Sequence, residues 1–210
     1  MNQSAEARKD RALELIEKEL GKRLPAARRK PGRDYLAQYF RRVPVGELER
    51  DEPANWAAML AGQLTFLERR APGEMLMRVF NPTVAEDGWE SPHTLVELVN
   101  DDRPFLVDSA VLALSELEIG IHLVIHPVVR VERDGKGRLR DVLDKIELLH
   151  DVGYRPHVSG HAAAQRPDLA NAAALLVTVF VKRKETFLTH EGFELGGLGG
   201  RHVNLDSVVR

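Results

Sequence analysis

The chain has 210 residues, 43% hydrophobic and 30% charged, with a formal net charge of −2; it can support one sizeable core, and it lacks the basic excess of a nucleic-acid binder. Cysteine is absent, which excludes disulfides and thiol catalysis and fits a reducing compartment. No apolar run reaches the roughly 18 to 20 residues of a membrane span, and the mixed-charge N-terminus lacks the apolar core of a secretory signal, so a soluble, cytoplasmic protein is expected.

Residues 4–20 read as an amphipathic helix, with Leu13, Ile16 and Leu20 on one stripe, Ser4 as cap and Gly21 as stop. The basic stretch ARRKPGR (27–33) reads as a linker between helices. DYLAQYFRRV (34–43) is a second helix, with Asp34 as its cap and Leu36, Tyr39 and Phe40 on one face. A third helix runs from about Pro53 to Arg70. Its Trp56, Met59, Leu60, Leu64 and Leu67 recur at helical spacing, which reads as a packed face before a ligand box.

The texture changes after Gly73. EMLMRVFN (74–81) and TLVELVN (94–100) read as strands, separated by a polar loop with DGW at 87–89. RPFLVDSAVLALSEL (103–117) is the clearest helix, with Leu106, Ala110, Leu114 and Leu117 in one stripe. IHLVIHPVVRVER (121–133) is a strand, and the DG at 134–135 predicts a hairpin return. Residues 151–169 look like a loop, 170–181 fit either helix or strand, and the glycine-rich 192–202 segment reads as mobile. These divisions give a helical segment at 1–72, an α+β unit at 73–150 and a poorly defined segment at 151–210.

The joint NDDRPFLVDS (100–109) connects a strand to a helix. Asp101 and Asp102 put carboxylates beside the orphan N–H groups of a helix start, where the helix dipole favours negative charge. Pro104 suits the first turn, and Arg103 before it is turned away from helical angles. A helix entrance accounts for all of this. The same geometry also makes a rim for a ligand, and the local acids suit an ammonium group better than an anion. Asn100, Asp101, Asp102, Arg103, Pro104 and Phe105 are therefore the candidate ligand-binding residues.

The strand, the phrase DDRPFLVDS, the apolar helix and EIGIHLVIHPVVRVERD together resemble an ACT-like regulatory domain. RVFNP (78–82), GWESPHTLVELVNDDRPFLVDSAVLAL (88–114) and GIHLVIHPVVRVERDGKGRL (120–139) resemble more closely the N-terminal region of the large, bacterial-type NAD-specific glutamate dehydrogenases. The likeness covers roughly residues 35 to 145. It implies a ferredoxin-like βαββαβ antiparallel sheet with helices on one face, following the helical N-terminal segment. It also implies a parent reaction that oxidises L-glutamate with NAD to 2-oxoglutarate and ammonia, by residues far beyond this region. The chain is then expected to be non-catalytic, to hold no cofactor itself and to serve regulation or assembly. ACT domains that grip amino acids commonly carry a glycine soon after the proline. Here Phe105 and Leu106 follow Pro104 instead.

Other chemistry is thinly represented. GGLGG (196–200) lacks the spacing of a dinucleotide fingerprint. His150, His157 and His161 are close in sequence, but in a loop rich in glycine and proline, and no metal site is assigned. Asp101, Asp102, Asp108 and Ser109 have no visible base partner, and no catalytic residue is assigned. His122 and His126 lie four apart in a strand, roughly 13 Å along it, too far to chelate one ion. They are expected on its outward face with Arg130. IHLVIHPVVRV carries apolar residues on both faces, which predicts a sheet-to-sheet contact through His122, Val124, His126, Val128 and Arg130. The expected partner is a second copy or the remainder of the large enzyme, with an amino acid as a possible effector. The alternative is a stand-alone amino-acid sensor binding at residues 100–106.

Overall fold

The computed structural model describes residues 4–102, 105–143 and 173–182. Arg103, Pro104, His150, His157, His161 and the glycine run at 196–200 lie outside the described residues. No helix among the described residues is long and apolar enough to cross a membrane.

Helix α1 covers Ala5–Arg23, started by Ser4, whose hydroxyl accepts from the Ala7 N–H at 3.2 Å. Helix α2 covers Ala26–Tyr39 and runs through the expected linker. Pro31 removes one backbone donor inside it, normally a cost of about 3 kcal/mol. Tertiary packing offsets that cost. Pro31 and Gly32 are both buried, and a Cβ on Gly32 would fall 2.3 Å from Leu24 Cδ1. Asp34 is consequently not a cap; it sits mid-helix, nearly buried, and accepts from Lys30 Nζ at 2.8 Å. A single turn, α3 (Val45–Leu48), leads to α4 (Pro53–Phe66), where Pro53 takes the first turn as expected. The expected apolar stripe of α4 is buried, Trp56 through Leu67.

The sheet has β2 (His93–Asn100) and β6 (Ala173–Lys182) antiparallel at its centre. The strand β1 (Leu76–Phe80) pairs outside β2, and a short helix, α5 (Val84–Asp87), sits in the loop between them. On the far edge of β6, β3 (Ile121–Ile125) and β4 (Val128–Arg133) lie end to end. They are broken at Pro127, which cannot donate to a ladder. The strand β5 (Leu139–Val142) closes the hairpin outside β4. Its turn is fixed by Asp134, whose carboxylate accepts from the Arg138 and Lys136 backbone and from the Arg138 side chain. The Arg138 backbone bond is the largest influence holding the Asp134 carboxyl down to about 2.

Helix α6 (Leu106–Glu116) connects β2 to β3, so these parallel strands flank β6 in a split βαβ arrangement. The centre of the sheet thus draws on the 151–210 segment, which the reading set apart from the α+β unit. β6 is buried on both faces, so its sequence shows an apolar run without alternation.

Each face of the sheet has its own cover. On one, Leu106, Ala110 and Leu114 of α6 pack against Met77, Val79, Val96, Leu98, Val177 and Val179. Leu117 leaves the expected stripe and is half exposed, because Glu118 turns left-handed (φ 54°) and delivers Ile119 to the core instead. On the other face, α2 and α4 pack against Leu95, Val99, Ile125, Val129, Leu176 and Phe180, and α1 packs on α4 and α2. The chain's own N-terminal helices occupy this second face, so helices cover both faces of the sheet and not one.

Candidate functional site

At the joint, residues 100–102 and Phe105 are described. Asn100 is buried at the end of β2, and its Oδ1 accepts from the Asp101 N–H at 2.8 Å. Asp101 pairs with the segment just after α4. Its Oδ1 accepts from Arg70 Nη2 at 2.6 Å, and Arg70 is itself buried at 5% exposure. Such a buried guanidinium needs a carboxylate. Helix α6 begins only at Leu106, with Phe105 as its N-cap and no side-chain cap bond; Asp108 supplies the acid of the first turn. Phe105 takes φ 65° and is 75% exposed. Asp102 is partly buried.

A polar row runs through the middle of the helix-covered face. Arg78, Glu97 and Thr178 are direct cross-strand partners on β1, β2 and β6. Glu97 is fully buried; one carboxylate oxygen accepts from Arg78 Nε at 2.5 Å and the other from Gln63 Nε2 at 2.7 Å. The Arg78 guanidinium lies over the Phe66 and Phe80 rings, 4.6 Å from each centroid. From above, Tyr39 donates to Thr178 Oγ1 and Tyr35 to Gln63 Oε1, each at 2.9 Å. Burial pushes both phenols well above their ordinary pKa, so they remain donors. The sequence does hold a signal for this row. Arg78 and Glu97 are charges in the middle of apolar strands, which requires pairing.

Below this row a chain of rings leads outward: Tyr39 to Phe40 at 5.0 Å, Phe40 to Trp56 at 5.3 Å, Trp56 to Phe180 at 6.1 Å. It ends in a cleft of about 640 Å³ between the α3–α4 corner, the segment 82–93 and β3. Trp56 and Phe180 line it, and His93 and His122 stack within it, centroids 4.4 Å apart and planes 14° apart. A β-bulge explains how His122 arrives there. Register slips between Ile121 and Leu123, so Ile121 and Val124 both join the α6-side cluster while Leu123 joins the other. The bulge re-aims His122 toward the helical layer. His122 therefore does not share a face with Val124, Val128 and Arg130, as simple alternation predicts. His126 is exposed at the break before β4.

Among the described residues no group of three or more His, Asp or Glu side chains is placed to hold a metal ion. The sequence reading missed both the polar row and the cleft. The bulge that builds the cleft leaves no mark in the pattern of residue types.

Comparison with known proteins places this architecture. A family model described as the ACT1 domain of glutamate dehydrogenase matches residues 35–183, from α2 to the end of β6. The NAD-specific glutamate dehydrogenase of Pseudomonas aeruginosa is 32% identical over 118 residues, 56% of this chain and 7% of that protein. The protein of the same name from Halomonas elongata is 36% identical over 77 residues, 37% of this chain and 5% of its own length. No solved structure matches. The family match continues past residue 150 and takes in β6, the strand that completes the sheet. With the match spanning every strand of the sheet and the α6 helix that covers one face, the chain belongs to the family of glutamate dehydrogenase ACT1 domains.

Proposed function

We propose that the chain is a non-catalytic regulatory and assembly module of a large NAD-specific glutamate dehydrogenase, acting in the cytoplasm. The supporting observation is the family match over residues 35–183, joined to relatives of which the chain matches only 7% and 5%. In this reading NAD and glutamate are handled by the remainder of such an enzyme. An assembly role finds support at β3. Among the described residues β3 pairs only with β6 and no strand lies on its other backbone edge. Val124 and Val128 are half-buried beside that edge, and His126 is exposed there. Sedimentation of the purified chain tests this. Self-association is expected for the wild type, with His126→Glu or Val124→Arg shifting it to monomer at unchanged circular dichroism. A wild-type monomer that neither substitution alters overturns it.

The sensor reading at residues 100–106 retains one supporting observation, the exposed Phe105 in a left-handed conformation that bulky residues avoid. Against it, Asp101 is committed to Arg70. A thermal-shift screen with amino acids, 2-oxoglutarate and NAD separates the two. A ligand at a hundred times its Kd stabilises by about 2.7 kcal/mol. A flat screen leaves the joint as a structural tie.

A further inference from the structure

We infer that His93 and His122 form a protonation-sensitive clasp, which closes the cleft when both rings are neutral and releases its mouth when the pair takes up a proton. The two rings come from strands separated by β6, yet they stack at 4.4 Å. Only the bulge between Ile121 and Leu123 brings His122 to that position. The stack also ties the sheet to the helical layer, because Arg50 Nη1 lies 3.5 Å from His122 Nε2. Arg50 can only donate, so this contact needs His122 neutral with a bare Nε2. Protonation there sets donor against donor and cation against cation. A proton on His93 places a charge over the neighbouring ring and beside Phe180, 6.3 Å away.

Besides Arg50, four charged groups surround the pair. Glu47 faces it from α3 but is bound to Arg50 at 3.0 Å. Asp51 faces it from the α4 entrance but accepts from the Glu52 N–H and Asn55 Nδ2. Glu90 faces it from the segment before β2, and Lys182 lies opposite His93 on β6. Burial, and then His122, hold His93 below the ordinary histidine pKa of 6.5. The sign follows: its contribution to stability is complete above about pH 6.5 and is lost as pH falls through the lower folded value.

The chain has 8 histidines, so the pH dependence of global stability alone cannot test the clasp. Trp56 lines the cleft and is one of 2 tryptophans. In the full chain with Trp89→Phe, Trp56 becomes the sole reporter. Acrylamide quenching is expected to rise about two-fold between about pH 7.5 and about pH 5.5, with far-UV circular dichroism unchanged. His122→Gln and His93→Gln should each remove most of that rise. His122 is exposed, so its variant carries the test if His93→Gln does not fold. Quenching that ignores pH, or that rises equally in the variants, overturns the clasp. If Trp89→Phe does not fold, an NMR titration of the imidazole protons replaces it. His122→Gln should then raise the pKa of His93, and a His93 titration unchanged by His122→Gln overturns the proposal.

Discussion

The two faces of the sheet are covered by helices on principles that differ. The α6 face is aliphatic at its centre, built from Leu, Val, Ile, Met and Ala, with Thr94 and Asn100 buried only at the two ends of β2. The face under α1, α2 and α4 combines an apolar majority with a charged row, Arg78–Glu97, and four uncharged polar groups that satisfy it. An aliphatic contact is indifferent to small slips of a helix across a strand, because its energy scales with area. A row of bonds fixed at 2.5 to 3.1 Å is not indifferent. The difference teaches that α6 is held by burial, whereas the N-terminal layer is also placed in register by one buried carboxylate. Like most buried ion pairs, it gives little net stability, but losing one member is costly.

The largest expected effect breaks that register directly. Glu97→Ala should cost about 3–5 kcal/mol in chemical denaturation, since Arg78 and Gln63 lose their acceptor. The double substitution Glu97→Leu with Arg78→Met should recover most of the loss while broadening NMR signals of α2 and α4. A Glu97→Ala loss no larger than that of a surface substitution would sink the idea that the row positions the layer. On the aliphatic face, Leu114→Ala should cost about 3 kcal/mol through transfer and cavity terms, with no partner able to rescue it. Smaller again is Tyr39→Phe, at about 1–2 kcal/mol. It removes the hydroxyl between Thr178 and Gln63 and leaves both groups without that contact. If Tyr39→Phe and Glu97→Ala prove additive, the row is a set of separate bonds and not one unit.

Legibility follows the same division. The stripe of α6 shows in its helical spacing because that helix packs one side on the sheet, and the apolar positions of α4 show the same spacing although α4 is wedged between α1 and the sheet. The strands β1 and β2 show as apolar runs. What escaped has a physical cause in each case. Pro31 and Gly32 signal a break, yet close packing on Leu20, Leu24 and Leu64 holds a helix through them. Asp101 has the local context of a helix cap, but Arg70, 31 residues away, takes its carboxylate. Glu97 was visible as an acid inside a strand, but its partners are on β1 and α4. Strict alternation puts His122 on the face of Val124, and one bulge reverses its side.

The smallest expected effect sharpens the aliphatic side of the comparison and has the opposite sign. Helix α6 ends in a full left-handed cap. The Glu118 N–H donates to the Ser115 carbonyl at 2.9 Å, and the Ile119 N–H reaches back to the Leu114 carbonyl at 3.1 Å. Ile119 is thereby folded into the same cluster as Leu114. This motif favours glycine at its left-handed position, yet Glu118 occupies it at φ 54°. The nearby Gly120 lies two positions too late to serve. A left-handed residue with a Cβ costs roughly 1–2 kcal/mol, and glycine loses part of that gain through unfolded-state entropy. Glu118→Gly should therefore stabilise the fold by about 0.5–1 kcal/mol, read as a higher denaturant midpoint at constant slope. A neutral or destabilising result would mean that the Glu118 side chain, exposed at the helix end, repays its own strain. The α6 face would then depend on more than buried area.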